Sequence, residues 1–109
     1  MKIAAIAFSD QGMNLGERLR QALTTDQLEL VRACPGQLAA WTAGQFQPGH
    51  ALLFIGATGI AVRAIAPLVK SKSADPAVIA LDDAVRYAIP LLSGHLGGAN
   101  ELALRLARA

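Results

Sequence analysis

Twice in 109 residues an unbroken apolar run stops at a glycine-containing turn and hands over to a helical pattern. Ala51–Ile55 leads into Gly56-Ala57-Thr58-Gly59, after which Ile60, Ala64, Ile65 and Leu68 recur on one helical face. The run ending in Ile89-Pro90-Leu91-Leu92 leads into Ser93-Gly94-His95-Leu96-Gly97-Gly98, followed by Leu102, Ala103, Leu106 and Ala107 at the same spacing. A short apolar run without polar alternation is the pattern of a strand covered on both faces, and a 3.6-residue period directly after it supplies a cover. A chain built from such units folds as strands alternating with helices.

The rest of the chain keeps to that rule. Ile3 to Phe8 reads as a first buried strand, stopped by Ser9-Asp10-Gln11-Gly12. Leu15, Leu19, Ala22 and Leu23 then give a helix over Met13 to Leu23, with Glu17, Arg18 and Arg20 on its other faces. Leu28, Leu30 and Val31 suggest a short second strand, and Pro35-Gly36 separates it from a weaker helix around Leu38 to Phe46, which Trp41 packs down. Pro67 should kink or end the helix that begins after Gly59. Beyond the polar connection from Lys70 to Pro76, Ala77–Leu81 and Arg86–Leu92 are two strands. Too few residues separate them for a parallel crossover, so they pair as an antiparallel hairpin. The expected fold is a three-layer α/β sandwich, with a mostly parallel sheet and one antiparallel hairpin.

Length sets the domain count: 109 residues make one domain, 1–109. An apolar fraction of 53% against 17% charged residues excludes disorder and suits a buried sheet. The formal charge of +2 comes from cations spread from Lys2 to Arg108 with no basic cluster, which argues against nucleic acid. No apolar run approaches the roughly 20 residues that span a bilayer. Lys2 to Phe8 is shorter than a signal-peptide core and no convincing cleavage site follows it, so the expected compartment is the cytoplasm. The single cysteine, Cys34, excludes an internal disulfide framework and is read as a reduced, inert thiol.

The two glycine turns carry the candidate chemistry. Glycine lets backbone N–H groups approach a ligand, and a helix N-terminus adds partial positive charge, so either turn suits a carboxylate or phosphate; the plainer alternative is a tight turn and nothing more. Gly56 and Gly59 open the backbone of the first turn, Thr58 either caps the helix or donates to a ligand, and Arg63 stands about one turn in, within reach of an anion at the helix start or simply solvated. Were the strands feeding the two turns parallel, both turns would open on one sheet edge as two walls of a site. Neither turn has the lysine and hydroxyl of a phosphate-binding P-loop, and the dinucleotide fingerprint is missing. Two histidines and one cysteine far apart in sequence give no zinc set, so no protein-bound metal or cofactor is expected. A Ser93–His95 nucleophile pair has unfavourable spacing. His95 is better placed to activate a water or to donate to a ligand carboxylate, with Ser93 as the helix cap. His50, alone at a strand entrance, is read as incidental. Adjacent Asp82 and Asp83 are read as turn residues.

Gly56-Ala57-Thr58-Gly59-Ile60-Ala61-Val62-Arg63, Asp75-Pro76-Ala77-Val78 and above all Pro90-Leu91-Leu92-Ser93-Gly94-His95-Leu96-Gly97-Gly98-Ala99-Asn100-Glu101 resemble the amino-terminal domain of the CbiG-type cobalamin biosynthesis proteins. The resemblance covers the stretch from His50 onward and is specific as a set; the earlier half is similar only in layout. It implies a cobalt-precorrin-5A hydrolase of the anaerobic route to vitamin B12, in which a lactone on a cobalt-containing tetrapyrrole is opened and a two-carbon fragment leaves as acetaldehyde. On this resemblance His95 is the catalytic candidate, and Gly56, Thr58, Gly59, Arg63, Ser93, Gly94, Gly97, Gly98 and Asn100 are the substrate-binding ones. The cobalt would arrive with the substrate, and the chain would be the amino-terminal part of a longer protein with further domains. The alternative is a module that binds the tetrapyrrole, or docks a partner domain, without catalysing.

Overall fold

A computed structural model describes residues 2–23, 27–71, 74–82, 87–92 and 106. The first apolar run forms β1 (Lys2–Ala7), which lies between two parallel neighbours, β2 (Gln27–Arg32) and β3 (His50–Ile55). Ala7 is level with Arg32 on one side and with Ile55 on the other. Next to β3 lies β4 (Ala77–Leu81), also parallel, and β5 (Ala88–Leu92) closes the sheet antiparallel to β4. The order is β2-β1-β3-β4-β5, so the predicted mostly parallel sheet with one hairpin is what forms. Residues of β1, β3 and β4 are buried almost throughout, whereas β2 alternates and has only Leu28 fully buried. That contrast is the sequence pattern itself: unbroken apolar runs in the middle, Gln-Leu-Glu-Leu at the edge.

The chain steps one way from β1 to β2 and the opposite way from β2 to β3, and right-handed crossovers taken in opposite directions place their helices on opposite faces. Accordingly α1 (Asp10–Ala22) covers one face through Leu15 and Leu19, joined there by Leu106. The other face carries α2 (Leu38–Gln45) and α3 (Thr58–Ile65), which pack Leu38, Trp41, Ala61 and Ile65 against Ile6, Leu52, Phe54 and Val78. Trp41 meets Phe54 edge-on, with ring centroids 6.0 Å apart at 86°, a favoured aromatic geometry.

Local chemistry explains where elements begin and stop. Helix α1 starts earlier than its apolar spacing suggests, at Asp10, because the Ser9 hydroxyl accepts a hydrogen bond from the Gly12 N–H at 2.9 Å. Ala22, placed on the buried face by that spacing, is exposed. On α3 the buried positions are Ala61 and Ile65, and Ile60 stays 37% exposed, so the packed face is rotated from the one its spacing indicates. Pro67 ends α3 at Ile65 and the chain continues as a single tight turn, Ala66–Leu68. Pro90 needs no ladder partner for its missing N–H, since it lies in the outermost strand beside a register shift at Val78/Ile79. That shift brings Leu91 and Leu92 to the same face.

Candidate functional site

The strand order reverses between β1 and β3, and there the two following turns diverge, one to α1 and the other to α3 on the opposite face. In open α/β sheets the crevice beyond the carboxyl ends at such a reversal is the usual ligand site. Its β1 wall is internally satisfied. Ser9 accepts from Gly12, the Ser9 carbonyl accepts from the Met13 N–H at 2.9 Å, and the Asp10 carboxylate is ion-paired with Arg32 at the end of β2.

The β3 wall is different. The Gly56 N–H donates to the Leu81 carbonyl at 2.9 Å, and a Cβ at Gly56 would stand 3.0 Å from the Phe8 ring, so the glycine is required by that contact. Ala57 takes the N-cap position in extended geometry; its side chain makes no cap bond, and its carbonyl accepts from the Ile60 N–H at 3.1 Å. Thr58 is therefore the first helical residue and does not cap α3. The opening N–H groups of an α-helix lack intrahelical partners and carry partial positive charge. A Cβ at Gly59 would meet nothing within 4 Å, so this face of the turn opens to solvent. Arg63, four residues on and hence on the same helical face, is exposed and pairs with no carboxylate among the described residues. Gly56, Thr58, Gly59 and Arg63 thus lie together on the carboxyl edge, and the last three can meet an anion.

The strands that precede the two glycine turns, β3 and β5, run antiparallel to each other. Leu92 pairs with Val78 near the start of β4, while Gly56 follows the end of β3, which is parallel to β4. The condition set for two walls on one edge, parallel feeding strands, is not met, because the short connection from β4 reverses the chain. Ser93, Gly94, His95, Gly97, Gly98 and Asn100 lie outside the described residues.

Other positions acquire roles that spacing did not reveal. Asp75 is only 6% exposed, and its carboxylate accepts from the N–H groups of Lys70 and Ser71 at 2.8 and 3.0 Å, which makes it the anchor of the connection into β4. The Asp82 N–H donates to the Tyr87 carbonyl at 3.0 Å and closes the hairpin, in keeping with a turn role. His50 sits at the start of β3 and its Nδ1 is buried with no hydrogen-bond partner among the described residues. A groove of about 270 Å³ lies where α2 leaves the face of β2 uncovered, floored by Ile6, Val31, Leu38 and Trp41. Cys34 is exposed at this groove. Sequence gives no local signal for the groove, since its residues come from three separate segments.

A 2-1-3-4-5 order with its reversal between β1 and β3 defines a flavodoxin-like doubly wound α/β domain, here with the last strand inverted. The family described as cobalamin synthesis G N-terminal matches residues 40–109, and the chain belongs to that family. It is 43% identical, over 96% of its length, to a cobalt-precorrin-5A hydrolase of Salmonella typhimurium, and 38% identical over 77% to one of Priestia megaterium. It spans 32% and 22% of those two proteins. A crystal structure of a cobalamin biosynthesis protein G homolog from Sulfolobus solfataricus superposes with a TM-score of 0.80 at 30% identity, covering 98% of this chain and 33% of that one.

Proposed function

We propose that this chain forms part of a cobalt-precorrin-5A hydrolase of cobalamin biosynthesis, acting in the cytoplasm together with further domains. The reading is carried by the 43% identity to a protein of that name across 96% of the chain. The carboxyl edge adds a physical reason: an acidic tetrapyrrole presents carboxylates, and the uncapped start of α3 with Arg63 presents N–H donors and a cation. In the reaction, water adds to the lactone carbonyl and the ring C–O bond breaks to give a carboxylate and an alcohol. The carbon–carbon bond joining that alcohol carbon to the macrocycle then breaks, the alcohol gives up its O–H proton to become the carbonyl of acetaldehyde, and the electron pair left on the macrocycle takes up a proton. His95 takes the proton from the attacking water, and glycine-turn N–H groups hold the oxyanion that develops. The cobalt is carried by the substrate.

One observation favours a second reading, in which this part binds or shields the tetrapyrrole and catalysis lies elsewhere. Strand β5 is antiparallel to β4 and ends at Leu92, level with Val78 near the start of β4, whereas Gly56 follows the carboxyl end of β3. The deciding experiment measures acetaldehyde release from cobalt-precorrin-5A by the chain and by its His95→Ala variant. Release by the parent, lost in the variant with substrate binding retained, supports hydrolysis here. Unchanged turnover in the variant removes His95 from the mechanism, and binding without release by the parent leaves the second reading.

A further inference from the structure

β2 is an edge strand with one covered face: Leu28 and Leu30 pack under α1, whereas Glu29 and Val31, which alternate with them, are exposed. The uncovered face ends at the groove beside α2, on the same carboxyl edge as the Gly56 turn. We propose that this groove is a second subsite of that edge, holding one carboxylate-bearing ring of a planar tetrapyrrole while the α3 turn holds another acidic arm. This rests on the functional reading above.

Size, polarity and position argue for that occupant. A volume of about 270 Å³ falls just below the roughly 300–1,000 Å³ of pockets that enclose a whole drug-sized molecule, so the groove takes a ring with its substituents and not a macrocycle. Its floor is aliphatic with one indole, and Arg32 and Gln37 stand at its rim. The Arg32 guanidinium commits Nη1 to the Asp10 carboxylate, a partner that is 92% exposed. A guanidinium has five N–H donors in all, which leaves several for a ligand carboxylate beside an apolar floor. The carboxyl ends of β2 and β3 flank that of β1, two strand spacings or roughly 10 Å apart, so four linked pyrroles can lie across both places.

The chain has one cysteine, it borders this groove, and it reports occupancy directly. With the intact chain, saturating cobalt uroporphyrin, a planar tetrapyrrole octa-acid, should slow iodoacetamide alkylation of Cys34 at least fivefold. Val31→Glu, placing a like charge in the groove at a position already 38% exposed, should weaken uroporphyrin binding at least tenfold with the melting temperature kept. Unchanged alkylation under saturation overturns the subsite, and that measurement needs no variant to fold. If Arg63→Ala weakens binding while Cys34 stays unprotected, the subsite falls and the functional reading stands. No binding of uroporphyrin by the parent chain likewise overturns the subsite, while the functional reading is decided by acetaldehyde release.

Discussion

The turns after β1 and β3 are built on one plan, strand into turn into helix, yet they end in opposite chemical states. After β1 the cap is made by a side chain: the Ser9 hydroxyl caps Gly12, Asp10 pairs with Arg32, and the glycines of α1 serve packing. A Cβ at Gly16 would lie 2.7 and 2.8 Å from the two δ-carbons of Leu30, and one at Gly12 3.2 Å from Ala7 Cβ. After β3 the cap position holds Ala57, the first-turn amides have no side-chain acceptor, and Gly59 faces open space. Helix starts left without a side-chain cap are costly, so α3, whose cap residue offers only its carbonyl to the Ile60 N–H, is the start at the strand-order reversal where an external anion gains more. The glycines of the closed turn bring helix to sheet; Gly59 of the open one has no such duty.

The largest effect that would sharpen this contrast is at the closed wall. Gly16→Val should cost about 2 kcal/mol of stability through overpacking against Leu30 and Ile55, read by urea denaturation; a cost below about 0.5 kcal/mol would mean that α1 does not need that close approach. Next, Arg63→Ala should weaken binding of cobalt-precorrin-5A about tenfold, equivalent to about 1.4 kcal/mol for one lost charge-assisted contact, while unfolding stays within about 0.5 kcal/mol as for an exposed side chain. Calorimetric titration showing equal affinity would break the assignment of the open wall. Ser9→Ala should destabilise by about 1 kcal/mol through loss of the α1 cap and leave ligand affinity alone. The smallest change belongs to Gly59→Ala, which should raise stability by a few tenths of a kcal/mol, since alanine outranks glycine in a helix and the added methyl meets no neighbour. A clear loss of stability there would show that Gly59 is structural and erase the difference between the walls.

Much of the fold was legible from local pattern. The apolar runs in β1, β3 and β4 mark strands covered on both faces, Leu28, Leu30 and Val31 mark a short strand at β2, and Pro67 marks the end of α3. The site was legible by composition and only partly by place. Gly56, Thr58, Gly59 and Arg63 do share the carboxyl edge, but Gly56 is explained by the Phe8 ring and Thr58 does not cap. The pairing of this turn with Ser93–Gly98 on one edge was conditional on parallel feeding strands, and β5, antiparallel to β4, does not meet that condition. The Asp75 anchor and the β2 groove had no signature in the chain, because each depends on contacts that a sequence pattern does not display.

By itself, then, the sequence determined which segments are strands and helices, that the first, third and fourth strands are buried, that the last two strands reverse, and to which family the chain belongs. Those properties follow from side-chain periodicity and turn chemistry among residues near one another. Only the tertiary structure decided that β1 lies between β2 and β3, which turn at that reversal is closed and which open, and which face of β2 is left bare. Strand order and cap satisfaction depend on partners brought together by the whole sheet: Arg32 reaches Asp10, Phe8 reaches Gly56, and Leu30 reaches Gly16 only after three strands have paired.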